Sequence, residues 1–223
     1  MTRIIAGTAR GRRLAVPPAG TRPTTDHVRE SLFSALEHRL GGFTGAAVLD
    51  LYAGSGAVGL EAASRGATRV VLVEHDPRAA AVLRDNVATV GFGAHPGSGV
   101  AQVLARTVEA VLAAGPPAQE LGQPAAYDLV FVDPPYSLPG KELSLVLAQL
   151  LTAGWLADDA WLVLERSSRH RSRDRHHFRN HDVGLPPGTA LVTSKTYGET
   201  TLHYAQVERP ADDQDIADLE FAR

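Results

Sequence analysis

The sequence predicts an α/β protein: a mostly parallel, seven-stranded sheet doubly wound by helices, closed by a C-terminal antiparallel hairpin and preceded by a small N-terminal β-hairpin extension. Two observations predict it. Apolar runs of strand length recur at Ala46–Leu51, Arg69–Glu74, Val100–Leu104, Tyr127–Val132 and Trp161–Glu165. Helix-length segments separate them over Ala57–Ser64, Pro77–Val90, Val108–Ala113 and Lys141–Leu151. Parallel neighbours need crossovers of this kind. The last two runs, Ala190–Lys195 and Thr200–Val207, flank Tyr197-Gly198-Glu199. So short a link makes them antiparallel partners, expected as edge strands.

At the N-terminus, Ile4-Ile5-Ala6-Gly7 and Arg12-Arg13-Leu14-Ala15-Val16 flank a glycine turn and read as a hairpin, which Pro17-Pro18-Ala19-Gly20 breaks. Thr24 and Thr25 offer N-caps to a helix over Asp26–Arg39. Its apolar positions Val28, Leu32, Phe33, Ala35 and Leu36 share one face, and Gly41-Gly42 ends it. Glycine and proline gather in 91–99 and 115–126, two loop excursions. The expected organisation is an extension over 1–23, a main domain over 24–209 and an acidic, disordered tail over 210–223. Trp155 and Trp161 read as core residues.

The 223 residues suffice for one substantial core. With no cysteine there is no disulfide framework, thiolate nucleophile or cysteine metal site. The N-terminus lacks the apolar stretch of a signal peptide, and no apolar run approaches the ~20 residues of a membrane span. A cytoplasmic protein is expected. Net charge is −3, yet the charge is segregated. Residues 1–30 hold six arginines (Arg3, Arg10, Arg12, Arg13, Arg22, Arg29) against Asp26 and Glu30. Residues 165–181 hold six more against Glu165 and Asp174, with His170, His176, His177 and His181. Acid collects in the tail. Such segregation can build a basic face on a mildly acidic protein. The histidines lack the cysteine or carboxylate spacing of a zinc site, so no metal is expected and they read as a solvated loop near phosphate.

Two motifs carry chemistry. After the first strand, Gly54-Ser55-Gly56-Ala57-Val58-Gly59 matches G-x-G-x-x-G, a loop whose backbone can approach a ligand closely. Glu74 follows Gly54 by 20 positions at the end of the second strand, where a carboxylate can bind ribose hydroxyls. Asp50, four positions before Gly54, suits a methionine ammonium better than a dinucleotide. The expected cofactor residues are Asp50, Tyr52, Ala53, Gly54, Ser55, Gly56, Glu74, His75 and Asp133. The second motif, Asp133-Pro134-Pro135-Tyr136, ends the fourth strand. The Asp133 carboxylate and the Pro134 carbonyl are acceptors for both hydrogens of an exocyclic NH2, Pro135 helps fix the backbone, and Tyr136 offers a stacking face. The plainer alternatives are a glycine-closed strand–helix turn and an aspartate-capped turn.

These residues, with Arg3-Ile4-Ile5-Ala6-Gly7, Gly11-Arg12-Arg13-Leu14, Arg22-Pro23-Thr24, Val28–Phe33, Gly59-Leu60-Glu61-Ala62, Ser64-Arg65-Gly66-Ala67 and Tyr197-Gly198-Glu199-Thr200, resemble the RsmD-type 16S rRNA guanine-N2 methyltransferases. The resemblance implies a Rossmann-like methyltransferase fold, S-adenosyl-L-methionine as cofactor and S-adenosyl-L-homocysteine as product. It also implies methylation of a guanosine N2 amine in 16S rRNA, in the small ribosomal subunit or its assembly intermediate. It places RNA contact on the N-terminal extension, here Arg3, Arg10, Arg12, Arg13 and Arg22, and sets the Arg22-Pro23-Thr24 segment near the cofactor and target pocket. A monomer that touches no membrane is expected. Two departures stand out: His27 replaces an arginine usual in the helix-opening segment, and Arg106-Thr107 stand where an acidic residue often lies near the cofactor adenine. The same motifs also serve an adenine-N6 methyltransferase on DNA or RNA. An NAD(P)-binding oxidoreductase and a non-catalytic RNA-binding module are the readings from other classes.

Overall fold

Along the chain strands and helices alternate as β1 (Thr2–Arg3), β2 (Arg13–Leu14), α1 (Asp26–Leu40), β3 (Ala47–Leu51), α2 (Ala57–Ser64), β4 (Arg69–Val73), α3 (Pro77–Val90), β5 (Ala101–Leu104), α4 (Val108–Ala113), β6 (Tyr127–Val132), α5 (Gly140–Thr152), β7 (Leu156–Ser167), α6 (Asn180–Val183), β8 (Thr189–Tyr197) and β9 (Thr200–Val207). The computed structural model describes residues 2–17, 25–93, 100–117, 126–167 and 180–208, with the side chains of 181 and 182 excepted. Arg22, His170, His176, His177, most of both loop excursions and the acidic tail lie outside the described residues.

β3 to β9 form one sheet in the order β5-β4-β3-β6-β7-β9-β8. The pairs β3–β4, β4–β5, β3–β6 and β6–β7 are parallel. The chain runs outward from β3 to β5, then returns to the other side of β3 as β6. This switch opens a crevice at the carboxyl ends of β3 and β6, where ligands of open α/β sheets bind.

The closing hairpin differs from the expectation in one respect. β9 is not an edge strand: it lies between β7 and β8, antiparallel to both. Burial explains the placement. Thr201, Leu202, His203, Tyr204 and Ala205 are all buried, whereas β8 is half-exposed and takes the edge. β7 also starts earlier than its apolar run suggests. Leu156 pairs with Tyr127 across a register shift, and Asp159 adopts φ +61°, so the acidic stretch Leu156–Asp159 hides an irregular strand.

Alternate strand residues face opposite layers. Val48, Leu72, Phe131 and Val163 pack with α1, α2 and α3; Leu49, Val73, Val132 and Leu164 pack with α4 and α5. Both tryptophans are buried.

The N-terminal hairpin is shorter than expected, two residues per strand, and is bolted onto α2 by buried polar groups. The Glu61 carboxylate accepts from the amides of Ile5 (2.6 Å) and Ala6 (2.9 Å) and from Arg65 Nε (2.8 Å). Ser64 Oγ donates to the Ala6 carbonyl and accepts from the Ala9 amide. Gly7 sits between them at φ +79°, and a Cβ there would lie 1.8 Å from the Ser64 carbonyl oxygen. Only glycine allows so close an approach. The Ile-Ile-Ala-Gly and Leu-Glu-Ala-x-Ser-Arg-Gly segments are therefore two halves of one joint.

Candidate active site

Alternation places four carboxylates on one layer at one end of the sheet. Asp50 on β3, Glu74 just after β4, Asp133 just after β6 and Glu165 on β7 each follow a residue of the α4–α5 layer, so all face the α1–α3 side. Asp50 is 2% exposed, and its Oδ2 accepts from the Gly59 amide inside the first turn of α2 (2.9 Å). Burial, reinforced by the Glu74 charge, pushes its carboxyl up to about 7 despite that hydrogen bond. Burial also holds Asp133 well above the usual carboxylate range, with the charges of Glu165 and Asp50 adding to it. Carboxylates that oppose one another's ionisation form a site prepared for positive charge.

The loop between β3 and α2 is held from two sides. Glu74 Oε2 accepts from the Gly54 amide (2.9 Å) and Oε1 from the Asp76 amide (2.8 Å); the exposed His75 ring lies 3.5 Å from Oε1. The buried Asn86 side chain donates to the Ser55 carbonyl (2.9 Å) and also exchanges two hydrogen bonds with Ala15, at 2.8 and 2.9 Å. The fully buried Arg29 guanidinium donates to the Ala57 carbonyl, and to Thr2 Oγ1, the Arg3 carbonyl and Asp26 Oδ1. Both ends of the N-terminal segment are thus tied to residues flanking Gly56. Tyr52 turns the chain at φ +61°, a strained conformation for a bulky residue, and Ala53 donates to the Val73 carbonyl. The Tyr52 ring packs partly against the α4–α5 layer, where burial pushes its phenol up to about 12.

On the other side of the crevice, Asp133 donates its amide to the Leu51 carbonyl (3.4 Å), Pro134 is buried, Pro135 is exposed, and the Tyr136 side chain is 59% exposed. Among the described residues no hydrogen bond or ion pair ends on the Asp133 carboxylate. The residues flanking the β8–β9 turn reach the same face. Thr200 donates to Glu165 Oε1 (3.4 Å), and the His27 ring at the start of α1 meets the Tyr197 ring edge-on at 6.3 Å.

The expected cofactor and amine-orienting residues therefore converge on one crevice, but the arginines do not. Arg3, Arg10, Arg12 and Arg13 are exposed, whereas Arg29 is turned wholly inward. Thr8 binds the Ser64 carbonyl and Arg12 the Thr89 carbonyl, both at the C-terminal turns of their helices. The tip carrying Arg10 and Arg12 thus sits a helix length, roughly 12 Å, from the glycine loop. Arg106 and Thr107 serve their own helix: Thr107 Oγ1 caps α4 through the Ala110 amide and Arg106 reaches the Ala110 carbonyl. Glu61, Asn86 and Glu165 escaped sequence reasoning as site-builders. Each is a polar residue on a helix or at a strand end that looks solvated in sequence, and a buried partner shows only once the fold supplies it.

A cofactor with a ribose and a cationic methionine end fits this crevice. Gly54, at φ +55°, has nothing within 4 Å of the place a Cβ would occupy, so its face is open, and the nearby carboxylates of Asp50, Glu74 and Asp133 are acceptors suited to hydroxyls and an ammonium.

The sheet order, the glycine loop and the acidic strand ends define a Rossmann-like α/β fold of the methyltransferase class. The chain belongs to the family described as Conserved hypothetical protein 95, which matches residues 2–206. Ribosomal RNA small subunit methyltransferase D of Escherichia coli K12 is 40% identical over 164 residues, 73% of each chain. YlbH of Bacillus subtilis 168, named as a candidate rRNA methyltransferase, is 34% identical over 200 residues, 89% of this chain and 95% of its own. Among solved structures, yhhF of Escherichia coli, a candidate methyltransferase, superposes with a TM-score of 0.71 at 32% identity, covering 92% of this chain and 97% of that one.

Proposed function

We propose that this protein transfers a methyl group from S-adenosylmethionine to the exocyclic N2 amine of a guanosine in small-subunit rRNA. The observation that carries the reading is the Asp133 carboxylate, which no described residue hydrogen-bonds, followed directly by Pro134 at the end of the strand next to the one that leads into the glycine loop held by Glu74. Membership in a family with rRNA methyltransferases supports the substrate.

When bound, S-adenosylmethionine supplies a methyl group on a sulfonium. Asp50 with the backbone of Tyr52, Ala53, Gly54, Ser55 and Gly56 would hold its methionine end, and Glu74 and His75 its ribose. Asp133 and the Pro134 carbonyl accept the two amine hydrogens, which fixes the nitrogen lone pair toward the methyl and pushes electron density back onto a poorly nucleophilic aryl amine. The raised affinity of Asp133 for a proton suits it to receive the one released as the new C–N bond forms. Tyr136 stacks on the extruded base. Arg3, Arg10, Arg12, Arg13 and Arg22 contact RNA phosphates, and Arg12, at the far end of α3, holds one away from the pocket. The protein acts as a cytoplasmic monomer on a small ribosomal subunit or its assembly intermediate; no helix among the described residues is long and apolar enough to cross a membrane.

The test uses small subunits from cells lacking the protein, incubated with it and labelled S-adenosylmethionine, followed by digestion and mass spectrometry of the nucleosides. N2-methylguanosine is expected. Methyladenosine would overturn the substrate while leaving the cofactor chemistry intact.

A further inference from the structure

The base-side carboxylate that the amine-orienting pair does not use is Glu165. It is 4% exposed, stands one residue beyond the last registered pair of β6 and β7 (Val132 with Leu164), and shares the α1–α3 face with Asp133. Adjacent strands lie about 4.8 Å apart, so the two carboxylates are lateral neighbours at the mouth of the crevice. Thr200, the first residue of β9, donates to Glu165 Oε1 and so orients the group. Burial raises Asp133, and the Glu165 charge adds to that rise, as expected of carboxylates this close.

Base chemistry gives this neighbour a purpose. An exocyclic amine bound to Asp133 and the Pro134 carbonyl brings one of its flanking ring atoms toward β7. In adenine the amine is flanked by N1 and N7, both acceptors. In cytosine it is flanked by the N3 acceptor and a C–H. Only the guanine N2 amine has a ring N–H donor, N1–H, beside it. A carboxylate is acceptor-only. Resting on the proposed methylation of guanosine, we infer that Glu165 is the specificity-determining residue that accepts guanine N1–H and rejects adenine by setting acceptor against acceptor.

The test separates this role from the reaction itself. The probe is an rRNA fragment carrying, at the guanosine methylated in the wild-type reaction, either guanosine or 2-aminopurine riboside. The latter keeps the 2-amino group but exposes N1 as an acceptor. The wild-type protein is expected to prefer guanosine by ~10⁴-fold in kcat/KM, the lower end for sites built to hydrogen-bond a substrate N–H. Glu165→Gln is expected to narrow that ratio to below ~10-fold, since an amide can donate to N1, while S-adenosylhomocysteine affinity by calorimetry stays within a factor of about two. A ratio that the substitution leaves unchanged overturns the assignment. So does a wild-type ratio near one, which needs no variant and holds even where Glu165→Gln fails to fold. Absence of N2-methylguanosine in the guanosine fragment is a different failure and overturns the proposed reaction.

Discussion

The two halves of the crevice are built differently. On the cofactor half nearly every polar group is already committed within the chain: Asp50 to the Gly59 amide, Glu74 to the amides of Gly54 and Asp76, Asn86 to the Ser55 carbonyl, Arg29 to the Ala57 carbonyl. On the base half, Tyr136 is largely exposed, and the Asp133 carboxylate, crowded by two other acids, receives no hydrogen bond from the described residues. One half is prebuilt and selects a ligand by shape. The other holds a crowded carboxylate that an incoming pair of N–H donors stabilises, so its interactions strengthen where the reaction needs them.

Breaking the base half should cost turnover and little else. Asp133→Ala is expected to lower kcat by ~10³-fold, the upper end for removing one preorganised electrostatic group. S-adenosylhomocysteine affinity, read by calorimetry, should fall by less than about threefold. A parallel loss of affinity and rate would erase the contrast between the halves.

Asp50 tests the prebuilt half. Asparagine can still accept the Gly59 amide, so Asp50→Asn should fold and lose only charge. Cofactor affinity should fall by ~10- to 100-fold, the worth of a charged hydrogen bond in a buried site. The sign of the stability effect follows from linkage. The carboxyl is raised from 3.8 to about 7 in the folded chain, so the folded state keeps a proton that the unfolded state releases. Its contribution is complete below about pH 4 and is lost as pH rises through about 7. Asp50→Asn should therefore flatten the decline in stability between pH 4 and 7 seen by denaturant titration at fixed temperature. The slope need not vanish, because Asp133 is raised in the same direction.

The asymmetry also explains what could be read in advance. The strand–helix alternation was legible because burial on both faces gives strands such as Val70–Val73 an unbroken apolar run. The glycine loop and Asp133–Tyr136 were legible because their chemistry is local. The N-terminal joint was not: Glu61 looks like an ordinary helix surface residue until Ile5 and Ala6 arrive from 56 and 55 positions away. The place of β9 inside the sheet was equally hidden, because a hairpin's sequence fixes which strands pair but not which one faces β7. Glu165 closed an expected strand, yet its partner is set by the β6–β7 register, a tertiary fact.

A milder break on the base half is Tyr136→Ala. Base–aromatic stacking is worth ~1–3 kcal/mol, and an exposed ring falls at the low end. KM for RNA should rise roughly 5- to 10-fold with kcat nearly unchanged, measured on the mapped rRNA fragment. A fall in kcat at constant KM would give Tyr136 a role in orienting the amine instead.

The smallest expected effect comes from Arg12 and Arg13, and its distance from the crevice is what makes it informative. Both side chains are exposed, and the Arg12 guanidinium lies at the Thr89 carbonyl at the far end of α3. Phosphates bound there belong to nucleotides other than the target, so they position the RNA without touching the base. Replacing both by alanine should weaken RNA binding several-fold at low salt and reduce the slope of log affinity against log salt by between one and two, since each neutralised phosphate contributes about 0.7 to 0.9. Discrimination between guanosine and 2-aminopurine should stay as in the wild type, because no pocket group has moved. An unchanged salt slope would remove the hairpin from the RNA interface. Its bonds to α2 and the glycine loop would then serve only to brace the cofactor half.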